Sequence, residues 1–383
     1  MNIYVVQAGD TVQSIGEAFG LSPEEIIYLN QLAYPYGLAL GQALLLPTPG
    51  INSGSIFQRQ FFSFGYAYPF IDEHVLQETL PYLSALAVFS YGFSAEGELV
   101  PPQLPDEPLV EAALAVNVRP ILTLTPFGPD GNFNNYLVSA VLNDSAARQR
   151  LFRELLAVVQ LKGYLGVDVD FEYVLPEDRQ AFSAFVQELA DLLHSQGLTV
   201  SVALAPKTYA EQPGLLYEGQ DYAALGAAAD YVLLMTYEWG YTYSEPMPIA
   251  PLNWVRRVLA YAVQEIPPAK INLGIPNYAY DWTLPYVKGE SRARTLGVVE
   301  AMQQAVEVGA EIFFDETAQT PYYNYWQNGQ EHQVWFEDVR SLAARFQLIN
   351  EFGLRGGGWW QLMRLFRAGW RLLAGSFYID KIL

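Results

Sequence analysis

The sequence predicts an α/β protein in which a (β/α)8 TIM barrel follows a small βααβ domain. From residue 61 onward, apolar runs alternate with amphipathic stretches, and strand–helix units repeat over roughly 320 residues, the size of a TIM barrel with insertions. The candidate strands lie near residues 61–67, 84–91, 119–125, 163–172, 198–205, 230–237, 270–276 and 356–361. The alternative, two separate α/β domains, lacks any internal linker-like break.

The stretches between these strands have the periodicity of helices that bury one face. Helices are predicted, for example, at Asp144–Gln160, Pro176–Ser195, Leu252–Val263 and Val298–Val308. The interval of about 277–355, between the seventh and eighth strands, is long enough to hold a small insertion subdomain. Its candidate strands are Glu311–Phe314 and Val334–Phe336, and we expect it to line one wall of a cleft.

Residues 1–48 form a separate unit with the pattern strand–helix–helix–strand. Ile3–Val6 and Ala43–Pro47 are the candidate strands, and two short helices lie between them. The second helix begins at Ser22–Glu25, which has the Ser, Pro and Glu of a capping box. Residues 49–60 are rich in turn-forming residues and are predicted to be a linker, so the barrel domain spans residues 61–383.

Composition and charge exclude several classes of function. The formal net charge is −20, and so acidic a surface would repel nucleic-acid phosphates. The chain has no cysteine, and its three histidines lack metal-ligand spacing, so neither a metal site nor a Ser-His-Asp triad is expected. No apolar run is long enough to span a bilayer. Because the N-terminus shows no signal-peptide pattern, we expect a protein made without a secretory leader.

Three carboxylates alternate with apolar side chains in segment 166–172, whose sequence is GVDVDFE. Alternate residues of a β-strand share one face, so Asp168, Asp170 and Glu172 should crowd together inside the barrel. Three like charges so close cannot all ionise cheaply, and at least one carboxyl group should keep its proton near neutral pH. Such a group can act as a general acid, so the pattern indicates a catalytic site. The alternatives are a metal site and a solvated edge strand.

The same segment resembles the active-site strand of glycoside hydrolase family 18, the chitinase-like family, whose pattern is Asp-Gly-x-Asp-x-Asp-x-Glu. Leu165 replaces the first Asp, and the remaining positions match at Gly166, Asp168, Asp170 and Glu172. Residues 235–238, MTYE, resemble the family's Met-x-Tyr-Asp, with Glu in place of Asp. Residues 357–362, GGWWQL, resemble its eighth strand, where a Trp forms the floor under the bound sugar. The three segments occur in the family's order along the predicted barrel.

The resemblance implies a substrate-assisted, retaining mechanism that needs neither a metal nor an organic cofactor. Glu172 would protonate the glycosidic oxygen while the substrate's own 2-acetamido group attacks the anomeric carbon. Asp170 would orient that group and share a proton with Asp168 or Glu172. Tyr237 would hydrogen-bond the acetamido oxygen, and Trp360 would stack under the sugar. Further pocket candidates are Met235, Glu238 and Tyr278. Ordinary barrel packing is the alternative role for Tyr237, Trp360 and Met235.

The N-terminal unit resembles a LysM module, a domain that binds peptidoglycan and chitin. The resemblance rests on residues 4–11, YVVQAGDT, and on Ile15, Phe19, Asn30, Gly41, Gln42 and Leu45–Pro47. It implies a glycan groove between two loops, at Gly9, Asp10, Thr11 and Asn30. Because the module has no Lys or Arg, binding would depend on backbone hydrogen bonds and apolar contacts to N-acetyl groups. The alternative is a βααβ module used for protein contacts.

The pairing of a LysM-like module with this barrel resembles the spore cortex-lytic N-acetylglucosaminidases, the group that includes YaaH-type spore germination proteins. Segments 235–240, 315–322 and 334–338 are similar to that group. We therefore expect the substrate to be peptidoglycan of the spore cortex during germination, and the location to be the coat and cortex region of the spore. A chitinase or endo-N-acetylglucosaminidase at the cell wall would share these motifs, and a non-catalytic glycan-binding coat protein is a third interpretation. The sequence predicts no oligomeric state.

Overall fold

The structure, a computed structural model, describes residues 2–47, 56–57, 59–127 and 134–381. Most of the predicted linker at 49–60 lies outside these residues, and Gln60 begins the first barrel strand. Within the described ranges, no helix has both the length and the apolar character needed to cross a membrane.

The N-terminal module is a two-stranded antiparallel sheet packed against two helices. Its elements are β1 (Asn2–Val5), α1 (Val12–Phe19), α2 (Pro23–Asn30) and β2 (Ala43–Leu46). A small apolar core, formed by side chains such as Ile15, Ile26 and Leu44, fills the space between the helices and the strands. The predicted strand–helix–helix–strand pattern is confirmed.

Side-chain caps fix where the two helices of the module begin. Thr11 caps α1 in a reciprocal pair with Ser14, in which each side chain accepts from the other's backbone N–H at 3.0 Å. Ser22 and Glu25 form the same arrangement at the start of α2, which confirms the predicted capping box. Helix α1 ends at Gly20, whose φ of 67° is the left-handed conformation that glycine adopts at little cost.

The predicted TIM barrel is confirmed, because eight parallel strands form a closed ring. The barrel strands are β3 (Gln60–Ala67), β4 (Ala85–Phe93), β6 (Arg119–Leu124), β7 (Gly166–Val169), β8 (Thr199–Leu204), β9 (Tyr231–Leu234), β10 (Ile271–Pro276) and β16 (Gly356–Trp360). Strand β3 pairs with both β4 and β16 and so closes the ring. Two short strands extend the sheet, β5 (Leu99–Val100) beside β4 and β17 (Tyr378–Ile379) beside β3.

Helices surround the barrel and cover its outer apolar face. They are α3 (Glu73–Thr79), α4 (Glu107–Ala115), α5 (Asn135–Asn143), α6 (Ser145–Lys162), α7 (Arg179–His194), α8 (Tyr222–Ala228), α9 (Leu252–Glu265), α11 (Val339–Glu351) and α12 (Arg367–Ser376). Their buried faces form one large core with the outward side chains of the strands. Because the barrel strands are parallel, their carboxyl ends meet at one rim, where TIM barrels place active sites.

A five-stranded antiparallel sheet is inserted between β10 and β16. Its elements are β11 (Ala279–Thr283), β12 (Arg294–Leu296), α10 (Val298–Glu307), β13 (Phe313–Asp315), β14 (Thr320–Gln327) and β15 (Gln330–Trp335). The strand order is β12, β11, β15, β14, β13. The predicted insertion between the seventh and eighth strands is therefore present, while α11 lies in the ring of barrel helices.

The module packs directly on the barrel domain. The backbone N–H of Ile312 donates to the carbonyl of Leu40 at 2.8 Å. A Cβ at Gly41 would lie 1.9 Å from the carbonyl oxygen of Ile312, so only glycine allows this approach. On the other side of the contact, the guanidinium of Arg367 lies 4.0 Å over the ring of Tyr28 and donates to its carbonyl at 2.9 Å. These contacts hold the module against the barrel.

Candidate active site

The three predicted acids lie at the carboxyl end of β7. The strand ends at Val169, before the predicted end at residue 172, so only Asp168 lies within it. Asp170 and Glu172 follow in the segment that leaves the barrel rim. The intervening Phe171 packs outward against rings of α7, as the alternation predicts. The acids therefore point into the barrel mouth while their neighbours anchor the segment to the helix layer.

Asp168 is fully buried beneath the site and accepts two hydroxyl hydrogen bonds. Tyr66 donates from β3 at 2.9 Å, and Ser201 donates from the neighbouring β8 at 2.5 Å. Burial raises the pKa of Asp168 to about 6, although both hydrogen bonds oppose that rise because they favour the ionised form. Two hydrogen bonds therefore hold the carboxyl group of Asp168 in place, and its pKa lies near 6.

Asp170 and Glu172 affect each other's ionisation. Burial, followed by the charges of Glu172 and then Asp168, raises the pKa of Asp170 well above its ordinary value. Its Oδ1 atom is buried and has no hydrogen-bond partner among the described protein groups. Burial, and then the charge of Glu238, raises the pKa of Glu172 to about 7. At neutral pH the cluster therefore retains protons, chiefly because it is buried, and the crowding of the three acids adds to this at Asp170.

The segment after β9 brings Met235 and Tyr237 to the same cavity. Thr236 fixes this segment, because its hydroxyl donates to the carbonyl of Gly274 on β10 at 2.9 Å. A Cβ at Gly274 would lie 2.8 Å from Cε1 of Tyr237, so the missing side chain leaves room for the ring. The ring of Tyr237 lies against this glycine and lines the cavity.

Glu238 follows on the cleft wall with a left-handed φ of 62°. The hydroxyls of Tyr278 and Tyr280 point to its Oε1 atom at 3.4 and 3.3 Å. Its pKa is raised by burial against the opposing effect of these two hydroxyls. Because Glu238 also raises the pKa of Glu172, it is electrostatically linked to the predicted acid. Although Glu238 is one methylene longer than the Asp of the family pattern, it still lines the cavity.

Trp360, the last residue of β16, lines the cavity. Its ring packs at 5.4 Å from Tyr66 and 4.9 Å from Phe89, in both cases edge to face. The cavity has a volume of about 310 Å³ and is lined by Tyr66, Tyr68, Phe89, Phe127, Asp170, Glu172, Tyr173, Ala203, Met235, Tyr237, Glu238 and Trp360. Asp168 and Tyr278 lie one layer behind and contact lining residues.

The cavity suits a ring-shaped, uncharged ligand. Its lining combines aromatic faces with three carboxyl groups and contains no Lys, Arg or His. Aromatic rings stack on the apolar faces of sugars, and a carboxyl group with a pKa near 7 can donate a proton at neutral pH. Among residues 2–47, 56–57, 59–127 and 134–381, no group of three or more His, Asp or Glu is arranged to hold a metal ion.

The four residues predicted for the LysM groove lie in the module and not in this cavity. Gly9 and Thr11 are exposed in the loop after β1. Asp10 accepts from the Tyr4 hydroxyl at 2.6 Å, so its carboxylate is engaged within the loop. Asn30 is buried, and its side chain bonds the backbone of Leu45 in both directions, at 2.8 and 3.0 Å. The side chain of Asn30 thus ties α2 to β2 inside the module.

The sequence predictions missed several residues of the site, and Tyr66, Tyr280 and Ser201 show what signal was present. Tyr66 lies at the carboxyl end of a predicted strand, which is itself a signal in a TIM barrel. Tyr280 is two residues beyond Tyr278, so the alternation of a strand could have placed both on one face. Ser201 lies directly beside Asp168 in the strand register, and only the assembled barrel shows this.

Comparison with known proteins gives the same fold and two protein families. The family model of glycosyl hydrolases family 18 matches residues 124–364, and the LysM domain model matches residues 4–47. A cortical fragment-lytic enzyme of Bacillus subtilis is 37% identical, with 100% of this chain and 99% of the relative covered. The crystal structure of the spore cortex-lytic enzyme SleL of Bacillus megaterium superposes with a TM-score of 0.93 at 31% identity, over 100% and 99% of the two chains.

A chitinase from Chromobacterium violaceum shares the barrel, with a TM-score of 0.76, 28% identity and coverage of 82% of this chain and 98% of that one. The fold, the acidic site and these matches together define a glycosidase. The chain belongs to glycosyl hydrolase family 18 and has an N-terminal LysM domain.

Proposed function

We propose that this protein is a retaining, substrate-assisted glycosidase that cleaves N-acetylglucosamine linkages in the peptidoglycan of the spore cortex during germination. The observation that supports it most directly is the group of three buried acids at the end of β7. One of them, Glu172, lines the cavity and has a pKa of about 7. The substrate and the location in the spore follow from relatives named as cortical fragment-lytic and spore cortex-lytic enzymes, which this chain matches along its full length.

In this proposal Glu172 is the general acid and then the general base. It donates its proton to the glycosidic oxygen as the bond to the anomeric carbon breaks. The carbonyl oxygen of the substrate's 2-acetamido group attacks that carbon from the opposite face and forms an oxazolinium ion. Glu172 then removes a proton from water, which opens the ion at the same carbon. Two inversions give net retention.

Asp170 and Tyr237 are proposed to hold the acetamido group for attack. The carboxyl group of Asp170 lines the cavity, where it would accept from the acetamido N–H and stabilise the positive charge that develops on that group. The hydroxyl of Tyr237, which lines the cavity, would donate to the acetamido oxygen. Asp168 does not reach the cavity, so its role is to set the ionisation of Asp170 from beneath. Trp360 stacks under the sugar ring.

The remaining predicted residues have supporting roles in the proposal. Met235 supplies an apolar contact in the cavity wall, and Glu238 keeps Glu172 protonated near neutral pH. Tyr278 acts through its hydroxyl contact to Glu238. The LysM domain would hold the polysaccharide with the backbone of the loop at Gly9 and Thr11, because the Asp10 and Asn30 side chains are engaged inside the module.

A chitinase is the second candidate, since a chitinase of known structure shares most of the barrel. Mass spectrometry of fragments released from purified spore-cortex peptidoglycan and, in parallel, from chitin oligomers separates the two functions. Fragments with a reducing N-acetylglucosamine end from cortex, absent with Glu172→Gln, support the proposal. Cleavage of chitin alone would make the protein a chitinase. Absence of product from both would favour a glycan-binding coat protein, and normal turnover by Glu172→Gln would contradict the mechanism.

A further inference from the structure

A second large cavity lies on the side of the inserted sheet that faces away from the catalytic cleft. On β11, Tyr280 and Trp282 belong to the aromatic cluster that Trp360 contacts, so the intervening Asp281 points to the opposite face. The cavity on that face, here called the rear cavity, has a volume of about 480 Å³ and shares no lining residue with the catalytic cavity. Its lining includes Asp281, Arg292, Arg294, Glu307, Tyr325 and His332.

Asp281 is the buried anchor of the rear cavity. One of its oxygens accepts from the Tyr325 hydroxyl at 2.7 Å, from the Gln304 amide at 3.1 Å and from the Arg294 guanidinium at 3.3 Å. The other oxygen bonds Nδ1 of His332 at 3.0 Å. The side chain of Asp281 is only 3% exposed, and all four of its partners line the cavity. One buried carboxylate therefore holds polar groups from three strands and from α10 around the same space.

His332 is held by two contacts and keeps one ring nitrogen for a ligand. Its ring stacks on Tyr325, with centroids 4.6 Å apart and 22° between the ring planes. When Nδ1–H donates to Asp281, Nε2 of the neutral ring is a hydrogen-bond acceptor. Within the described ranges, Nε2 makes no hydrogen bond. A ligand in the rear cavity therefore finds an acceptor whose orientation is already fixed.

The rear cavity also offers accessible charges of both signs. Arg292 is exposed, and its guanidinium lies 5.9 Å from the centre of the Tyr243 ring. It forms no hydrogen bond or ion pair with the residues that the structure describes. Glu307, the last residue of α10, accepts from Gln303 at 2.8 Å with one oxygen, which leaves the other oxygen open. The carboxyl end of a helix also favours a cation, so the cavity can bind an anion and a cation together.

This lining differs from that of the catalytic cavity. The chain carries 41 acidic and 21 basic side chains, and no Lys or Arg lines the catalytic cavity. Two arginines and a histidine in one cavity are therefore a local concentration of basic groups in an acidic protein. A ligand with both a carboxylate and an ammonium group would use the charges of both signs, whereas a neutral sugar would use neither.

We propose that the rear cavity binds the peptide stem of peptidoglycan, at a residue that carries a free carboxylate and a free ammonium group. Arg292 and Arg294 bind the carboxylate, Glu307 binds the ammonium group, and Nε2 of His332 accepts from a peptide N–H. The inference rests on the proposed function for the nature of the polymer. Because chitin carries no peptide, the rear cavity would distinguish between the two candidate substrates, which the catalytic cavity lacks the cations to do.

The test measures binding of a soluble stem peptide by calorimetry, in the full-length chain with Glu172→Gln to prevent turnover. The peptide contains meso-diaminopimelic acid with one amino and one carboxyl group free. We expect Arg292→Gln and Glu307→Gln each to weaken binding roughly two- to fivefold, the range for one exposed ion pair. Arg257→Gln on α9 and Glu111→Gln on α4 remove the same charges from exposed positions outside the cavity. These matched controls should bind the peptide as the parent protein does.

A second measurement compares the two polymers. Arg292→Gln should lower the affinity for insoluble cortex peptidoglycan and leave the affinity for insoluble chitin unchanged. An equal loss on both polymers overturns the inference, because the arginine would then contact the glycan and not the peptide. Both cavity variants change exposed side chains, and circular dichroism checks that each variant is folded.

Three other results also overturn the inference. They are absence of stem-peptide binding, equal binding by the cavity variants and their controls, and equal binding of a peptide whose carboxyl groups are amidated. If free meso-diaminopimelic acid binds as tightly as the stem peptide, the cavity is a site for a free amino acid, and the assignment to the stem is wrong. If the wild-type protein cleaves no peptidoglycan, the proposed function fails, while peptide binding, which needs no turnover, still tests the rear cavity.

Discussion

The same burial that makes Glu172 a proton donor should destabilise the protein at alkaline pH. Its pKa rises from an ordinary 4.5 to about 7 in the fold. Below pH 4.5 the carboxyl group is protonated in both the folded and the unfolded protein. As the pH rises to about 7, the unfolded protein loses this proton first, so the free energy of unfolding falls. Because a tenfold change in an acid constant is worth about 1.4 kcal/mol, the loss at pH 8 is at most roughly 3 kcal/mol.

Glu172→Gln removes this loss, since glutamine has the same shape and no charge. We expect the variant to be inactive yet more stable than wild type at pH 8, by up to about 3 kcal/mol in the free energy of unfolding. At pH 4, where the wild-type carboxyl group is protonated in both states, the difference should disappear. Urea titrations of both proteins at the two pH values measure it.

Glu111→Gln, on the exposed side of α4, is the matched control and should change stability little at either pH. An equal stability difference between wild type and Glu172→Gln at pH 4 and pH 8 would refute the electrostatic reasoning. A variant less stable than wild type at pH 8 would show that Glu172 makes hydrogen bonds worth more than its burial costs.

Three further predictions follow from contacts around the site and the module. Glu238→Gln should lower the pKa of Glu172, so the alkaline limb of kcat/KM against pH moves to lower pH. If the alkaline limb of the pH profile did not move, Glu238 would have no influence on the pKa of Glu172. Ser201→Ala should cost about 1–3 kcal/mol, and more at pH 8 than at pH 5, because the lost bond favours ionised Asp168; urea titration measures this. Arg367→Ala should weaken the packing of the module on the barrel by about 1–3 kcal/mol. Amide hydrogen exchange should then become faster in α2 and stay unchanged in the barrel strands.

The acids could be found in the sequence because alternation along a strand is a local property. Segment 166–172 shows three carboxylates on one face without any knowledge of the neighbouring strands. The partners of Asp168 could not be found in this way. Tyr66 and Ser201 come from β3 and β8, and their distances depend on the register of the closed barrel.

Asn30 shows the opposite limit of sequence reasoning. Its position beside a loop suggested a glycan contact. A buried amide that bonds both the N–H and the carbonyl of Leu45 explains an Asn at that position equally well. The contact of Ile312 with Leu40 could not be predicted from the sequence either, because it joins segments far apart in the chain and has no sequence motif. The fold class was therefore predictable, while the seating of the module was not.

The close approach at Gly41 has a mechanical consequence. A binding domain on a free tether would let the enzyme search a sphere of positions around its anchor. Here the module abuts the inserted sheet with no room for even one methyl group, so anchor and cleft stand at a set separation and orientation. Under the proposed function, a polysaccharide strand bound by the module would therefore reach the catalytic residues at a fixed distance from its binding point.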